Sequence, residues 1–207
     1  MAQKGYTDKA AIENFLLKNI DSSFDSVLDD WIEGVENTID LVTGRNFKAD
    51  TDATTRVFDG DGTSKLLIDD AVEITAVGLG NDGYGGTFRT VGATGANRYF
   101  TEPVNHLAHK CPITALVLNS DKFLIGRQNQ QITAKWGFSV AVPADIKRAA
   151  TVFVAGIINQ NSPGASEVKS KRIGDYQVTY NTDKGGDAFS DFETAMVALD
   201  SYKRHYL

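Results

Sequence analysis

Apolar residues recur at helical spacing near both ends of the chain and at alternate positions between them. Ile12, Phe15, Leu16 and Ile20 share one face at a 3.6-residue period, which predicts a short helix capped by Thr7 and ending near Asn19. A stronger stripe comes next, made by Val27, Leu28, Trp31, Ile32, Val35, Ile39 and Val42. Asp29, Asp30, Glu33, Glu36, Asn37 and Asp40 are assigned to its polar face, and Gly44 supplies a stop. Over 54–138 the pattern becomes one of short strands: 56–58, 65–68, 72–79, 113–118, 123–125 and 132–138, with 59–62 as a turn. The stretch 78–95 contains seven glycines and reads as an exposed hairpin or loop, expected to order on contact with a partner.

In the last of these strands Ile132, Ala134, Trp136 and Phe138 alternate with Thr133, Lys135 and Gly137, the period of two of a half-buried strand. Pro143 then suits the first position of a third helix, where a missing N–H costs nothing. Ile146, Ala149, Ala150, Phe153 and Ile157 form one stripe of that helix, and Val152, Val154 and Ile158 make it apolar all round. Such a helix is central, or packs against neighbouring subunits as well. It is predicted to stop at 161–164. A linker with Lys169, Lys171 and Arg172 leads to a strand carrying Tyr176, Val178 and Tyr180. The last helix is predicted to start at a capping box, Ser190 and Glu193, with Phe192, Ala195, Met196, Leu199, Tyr202 and Tyr206 on one face. The predicted fold is α+β: a helical bundle of about four helices with an inserted small antiparallel β-sheet and a glycine-rich loop. Its segments are 1–53, 54–139 and 140–207, the last packing with the first.

At 207 residues, 42% hydrophobic and 23% charged, the composition is that of a globular protein. No window approaches the length of apolar sequence that crosses a bilayer, and the N-terminus lacks a signal core, so the expectation is a soluble, unexported chain without membrane contact. The single cysteine, Cys111, excludes an internal disulfide. A net charge of −6 without a run of Lys or Arg disfavours a dedicated nucleic-acid binder and suits a protein past which DNA slides.

Few groupings of residues offer chemistry. Gly78, Gly80 and Gly83 match G-x-G-x-x-G after a strand, but the residues beyond Gly83 do not start a helix, so a dinucleotide site is disfavoured. His106, His109 and Cys111 are metal-ligand types without a fourth ligand at a recognisable spacing. Asp59, Asp61, Asp69 and Asp70 lack the glycine and glutamate positions of a calcium loop. No nucleophile elbow is present. The expectation is therefore a non-enzyme with no catalytic residues, cofactor or metal. The aromatic and basic terminus Tyr202, Lys203, Arg204, His205, Tyr206 and Leu207 suits both packing on its own core and docking on a partner.

Several segments, in order, resemble the head-tail connector (adaptor) proteins of long-tailed bacteriophages. They are Thr43, Gly44, Arg45 and Phe47 at the end of the second helix; Trp136 and Gly137 leading through Pro143 to Ile146, Lys147 and Ala149; Ile173, Gly174 and Asp175; and Tyr202 in the last helix. The region 78–121 is larger and richer in glycine than a minimal member has. The resemblance implies a structural virion protein at the neck, made in the bacterial host cytoplasm. It implies a ring of copies of the chain, commonly twelve, under the portal protein. That ring extends the DNA channel toward a stopper or tail protein, and the 202–207 segment contacts the portal. Another neck or tail-completion protein is the nearest alternative, and a small ligand-binding or enzymatic domain a more distant one.

Overall fold

The computed structural model describes residues 3–80, 87–160, 168–173, 176–181 and 186–204. The predicted glycine-loop tip at 81–86, the helix stop at 161–164 and the terminal residues 205–207 lie outside them, as do Gly174 and Asp175. The chain divides into two compact units, one formed by 1–45 and 142–207, the other by 46–141.

The first unit is helical. Helix α1 (Lys9–Leu16) is capped by Asp8, whose carboxylate accepts from Ala11 N–H at 2.8 Å, so the cap lies one residue after the predicted Thr7. Thr7 instead turns inward, and its hydroxyl meets that of Thr151 at 2.7 Å. The helix ends earlier than predicted because Leu17 adopts the left-handed conformation at φ 52°. Helix α2 (Asp25–Thr43) buries Leu28, Ile32, Val35 and Ile39 and stops, as predicted, at Gly44, whose φ of 67° is easy only for glycine.

A one-turn helix, α3 (His106–His109), belongs to the second unit. Helix α4 (Ala144–Gln160) starts with Pro143 in the cap position rather than the first turn, its carbonyl accepting from Lys147 N–H at 3.0 Å. Six successive residues, 151–156, are buried, so the apolar girth of this part of the helix is covered within the single chain. Helix α5 (Gly186–Tyr202) begins before Ser190, so the predicted capping box lies inside the helix. Phe192, Ala195 and Leu199 are buried on it. The linker expected at 169–172 is instead a strand: β7 (Val168–Ile173) pairs antiparallel with β8 (Tyr176–Asn181). Helix α4 packs against α1, α2, α5 and β8, and Phe153 meets Phe192 edge-on at 5.2 Å.

The second unit corrects the predicted architecture. A six-stranded antiparallel sheet, not a small insertion in a bundle, holds much of the core, and the described residues contain five helices rather than about four. Its strands are β1 (Thr54–Gly60), β2 (Lys65–Gly80), β3 (Phe88–Val91), β4 (Tyr99–Glu102), β5 (Ile113–Leu118) and β6 (Gly126–Trp136). They run in the order β1-β6-β2-β5-β4, with β3 also on β2.

Three physical causes explain the difference. The segments 65–68 and 72–79 are one 16-residue strand, because irregular pairing at 67–71, 71–73 and 74–76 lets β2 bend without breaking. Gly78 and Gly80 sit in this strand rather than in a loop, since a Cβ on Gly80 would lie 2.4 Å from the Asn129 carbonyl oxygen. Strands β3 and β4 have four residues each, too few for a period of two to show. Residues 123–125 lie outside any strand, and Phe123 serves the core as a plug beside β6. The core comprises Leu66, Ile68, Val77, Leu79, Ile113, Leu116, Ile132 and Trp136 with their neighbours.

Candidate assembly surfaces

In the helical unit the ends of α2 and α5 meet. Gly44 N–H closes α2 onto the Asp40 carbonyl at 2.8 Å, and the turn carries Arg45 toward α5. Arg45 Nε donates to the Tyr202 carbonyl at 2.6 Å, and Arg204 N–H donates to the Thr43 carbonyl at 2.9 Å. Each helix end thus supplies a donor to a terminal carbonyl of the other, and a guanidinium sits where helix dipoles place negative charge. Thr43 is buried, its hydroxyl donating to the Ile39 carbonyl at 2.7 Å. The Tyr202 ring is half-buried, and burial, with Asp145 second, raises its phenol above the ordinary value. Thr43, Gly44, Arg45 and Tyr202 are therefore one constellation. Lys203 is exposed and pairs with Asp200 at 2.6 Å. His205, Tyr206 and Leu207 lie outside the described residues.

Phe47, Trp136 and Gly137 form a second constellation, inside the sheet unit. Phe138 N–H donates to the Asn46 carbonyl at 2.8 Å, Ala49 N–H to Ser139 at 2.9 Å and Asp50 N–H to Trp136 at 2.8 Å, which zips the entering and leaving chain together. Gly137, at φ 135°, makes room for this: its Cβ would fall 2.5 Å from Ala49 Cα. Trp136 is buried, with its indole N–H on the Thr54 carbonyl at 2.8 Å and the Arg56 guanidinium 4.6 Å above the ring. Of the remaining motif residues, Ile146 and Ala149 are buried on α4 and Lys147 is exposed. Ile173 is the last residue of β7.

One cluster departs from the sequence-based expectation. Glu36, assigned from sequence to the polar face of α2, is fully buried and accepts Lys4 N–H at 2.7 Å and Tyr6 N–H at 2.8 Å. One turn on, Asp40 accepts the Tyr6 hydroxyl at 2.5 Å and the Lys4 ammonium at 2.6 Å. The two carboxylates strap residues 4–6 along the helix. Burial raises the Asp40 carboxyl above its ordinary value, and the bonds from Lys4 and Tyr6 oppose the rise. The spacing carries the signal: Glu36 is four residues from Ile32 and three from Ile39, on the apolar side.

The groupings with chemical residue types have structural roles. Among the described residues no three His, Cys, Asp or Glu side chains converge as a metal site, and the Cys111 thiol faces the His106 carbonyl at 3.8 Å. The described element after Gly80 is strand β3, not a helix. Asp61 accepts from the N–H and hydroxyl of Thr63, which hold its carboxyl below the ordinary value, and Asp59 accepts from Gln128 N–H at 2.6 Å. These carboxylates brace turns. No helix among the described residues is long and apolar enough to cross a membrane.

The surface is more telling. Phe15, Leu17, Phe24 and Val27 are exposed on the helical unit, Leu17 at 91%, and no residue of 13–27 is buried. Leu41 and Val197 are exposed as well. On the sheet unit Leu67, Val104, Leu107 and Ile125 face solvent.

No protein-family model and no curated protein sequence matches the chain. Its fold is similar to solved structures. A chain in the neck of an empty gene transfer agent particle, computed with C6 symmetry, superposes with a TM-score of 0.58 at 12% identity. That match covers 100% of this chain and 94% of the other. A chain of the virion of a native gene transfer agent particle gives a TM-score of 0.54 at 12% identity, over 96% and 89% of the two chains. The fold of this chain is thus similar to that of a chain in the neck of a gene transfer agent particle.

Proposed function

We propose that the chain is a structural, non-enzymatic protein of a phage-type neck, and within it a head-tail connector (adaptor). The observation that carries this reading is the similarity of fold along the whole chain to a chain of an assembled neck. In this role copies of the chain form a ring, twelve by the family resemblance, that docks under the portal and extends the DNA channel toward a stopper or tail protein. A subunit of such a ring presents two different faces, one to each neighbour, so that the contact closes by rotation. Exposed Phe15, Leu17, Phe24 and Leu41 are material for such contacts. The net charge of −6 suits a channel through which DNA passes without being held.

The terminal segment is the portal-docking element in this reading. Deleting 205–207 spares the Arg45 to Tyr202 and Arg204 to Thr43 bonds, so it tests docking without unpinning α5. Portal protein retained by the full chain in a pull-down and lost with the truncated chain, at unchanged melting temperature, is the expected result. Equal retention would assign the chain to another position in the neck or tail.

A further inference from the structure

The helical unit carries two segments of opposite charge. The stretch 13–30, in which Leu28 alone is buried, holds five acids, Glu13, Asp21, Asp25, Asp29 and Asp30, against one base, Lys18. Asp25 is paired with Lys9 at 2.7 Å and Asp29 accepts from the Gln3 side-chain amide at 2.8 Å; Asp29 and Asp30 are exposed, as are Phe24 and Val27. The same stretch carries the uncovered Leu17 and Phe15, so it exposes apolar and acidic side chains together.

The ribbon β7–β8 has the complementary character. Residues 168–181 include Lys169, Lys171 and Arg172 against a single acid, Asp175. All three bases belong to β7. Strand β8 is the one packed against α4, and among the described residues the ribbon has no third strand, which leaves β7 as the outer strand of the pair.

We propose that β7 of one copy docks on the acidic, apolar 13–30 surface of the next copy. The contact joins two unlike patches of the same chain, the head-to-tail geometry that a closed ring requires. It deepens the proposed ring and rests on it. Opposite charges steer the encounter and set its register, and the exposed apolar residues of the stretch supply the area removed from water.

The test is a charge exchange. One variant carries Asp29→Lys with Asp30→Lys, the other Lys169→Glu with Lys171→Glu. Self-association is read by native mass spectrometry and sedimentation, with and without portal protein. Each variant alone is expected to associate at least roughly tenfold more weakly than wild type, while an equimolar mixture recovers, because each altered patch then finds an altered partner. Leu17→Ser, which changes no charge on either segment, is expected to weaken association with no recovery on mixing. Wild-type association is expected to fall as salt is raised.

Absence of recovery in the mixture overturns the proposal, as does a chain that stays monomeric under every condition. The same holds if the β7 variant loses affinity for double-stranded DNA and keeps its self-association, which would assign the basic strand to the channel. Portal retention is measured separately, so the neck reading survives or fails on its own result.

Discussion

Gly137→Ala isolates the contact on which the base of the sheet unit depends. The residue is buried at φ 135°, and the three atoms nearest its Cβ would all be backbone: Ala49 Cα at 2.5 Å, Ala49 N at 2.9 Å and the Lys48 carbonyl oxygen at 2.9 Å. None of these three can move by a side-chain rotation. The unfavourable backbone conformation costs about 1–3 kcal/mol. Forcing the opposing segment outward adds about 1–3 kcal/mol. A total of about 2–6 kcal/mol corresponds, for a chain of this size, to a fall in melting temperature of roughly 4–24 °C. Gly95→Ala is the control, since Gly95 has φ 95° with nothing within 4 Å of its Cβ and carries only the conformational part. Both variants are compared with wild type by circular dichroism melting. A Gly137→Ala protein melting within about 2 °C of the Gly95→Ala protein would refute the steric argument.

Buried and braced polar groups set the other expected outcomes. Glu36→Ala leaves the Lys4 and Tyr6 N–H groups without their buried acceptor; a loss of about 2–4 kcal/mol in urea unfolding is expected, together with fast amide exchange at residues 4–6. Asp40 titrates above 3.8 and Asp61 below it, which carboxyl NMR resolves. The signs are opposite: the penalty for ionised Asp40 is relieved as pH falls through its raised folded pKa, whereas the stability from Asp61 is present above 3.8 and lost as pH falls through its lowered one. Gln130→Met removes a buried amide whose Oε1 has no partner among the described residues, while Asn129 Nδ2 keeps the Leu124 carbonyl satisfied at 2.8 Å, so a change in stability within about 1 kcal/mol is expected in the same unfolding assay.

Much of the helical unit is legible in the sequence because its signals are local. The stripe of α2 and its glycine stop, and the all-round apolarity of α4, are properties of consecutive residues. The sheet is less legible, since what makes Gly80 a strand residue is the backbone of Asn129, a neighbour in space that no local pattern records. Glu36 is misassigned for a related reason. A carboxylate on an apolar face is read as polar until residues 4–6 are seen to supply its donors. The motif residues read as separate words in the sequence, and only the fold shows that Arg45 and Tyr202 are bonded to each other.

The paired backbone of 46–50 and 136–139 gives the sheet unit a stem whose entry and exit lie side by side. Everything distal to that stem is a cassette. Lengthening or trimming it moves neither end of the splice, and the entropic penalty for a longer excursion grows only with the logarithm of its length. A lineage that must refit this part to a new neighbour can therefore rewrite it at one locus while the helices keep their registration.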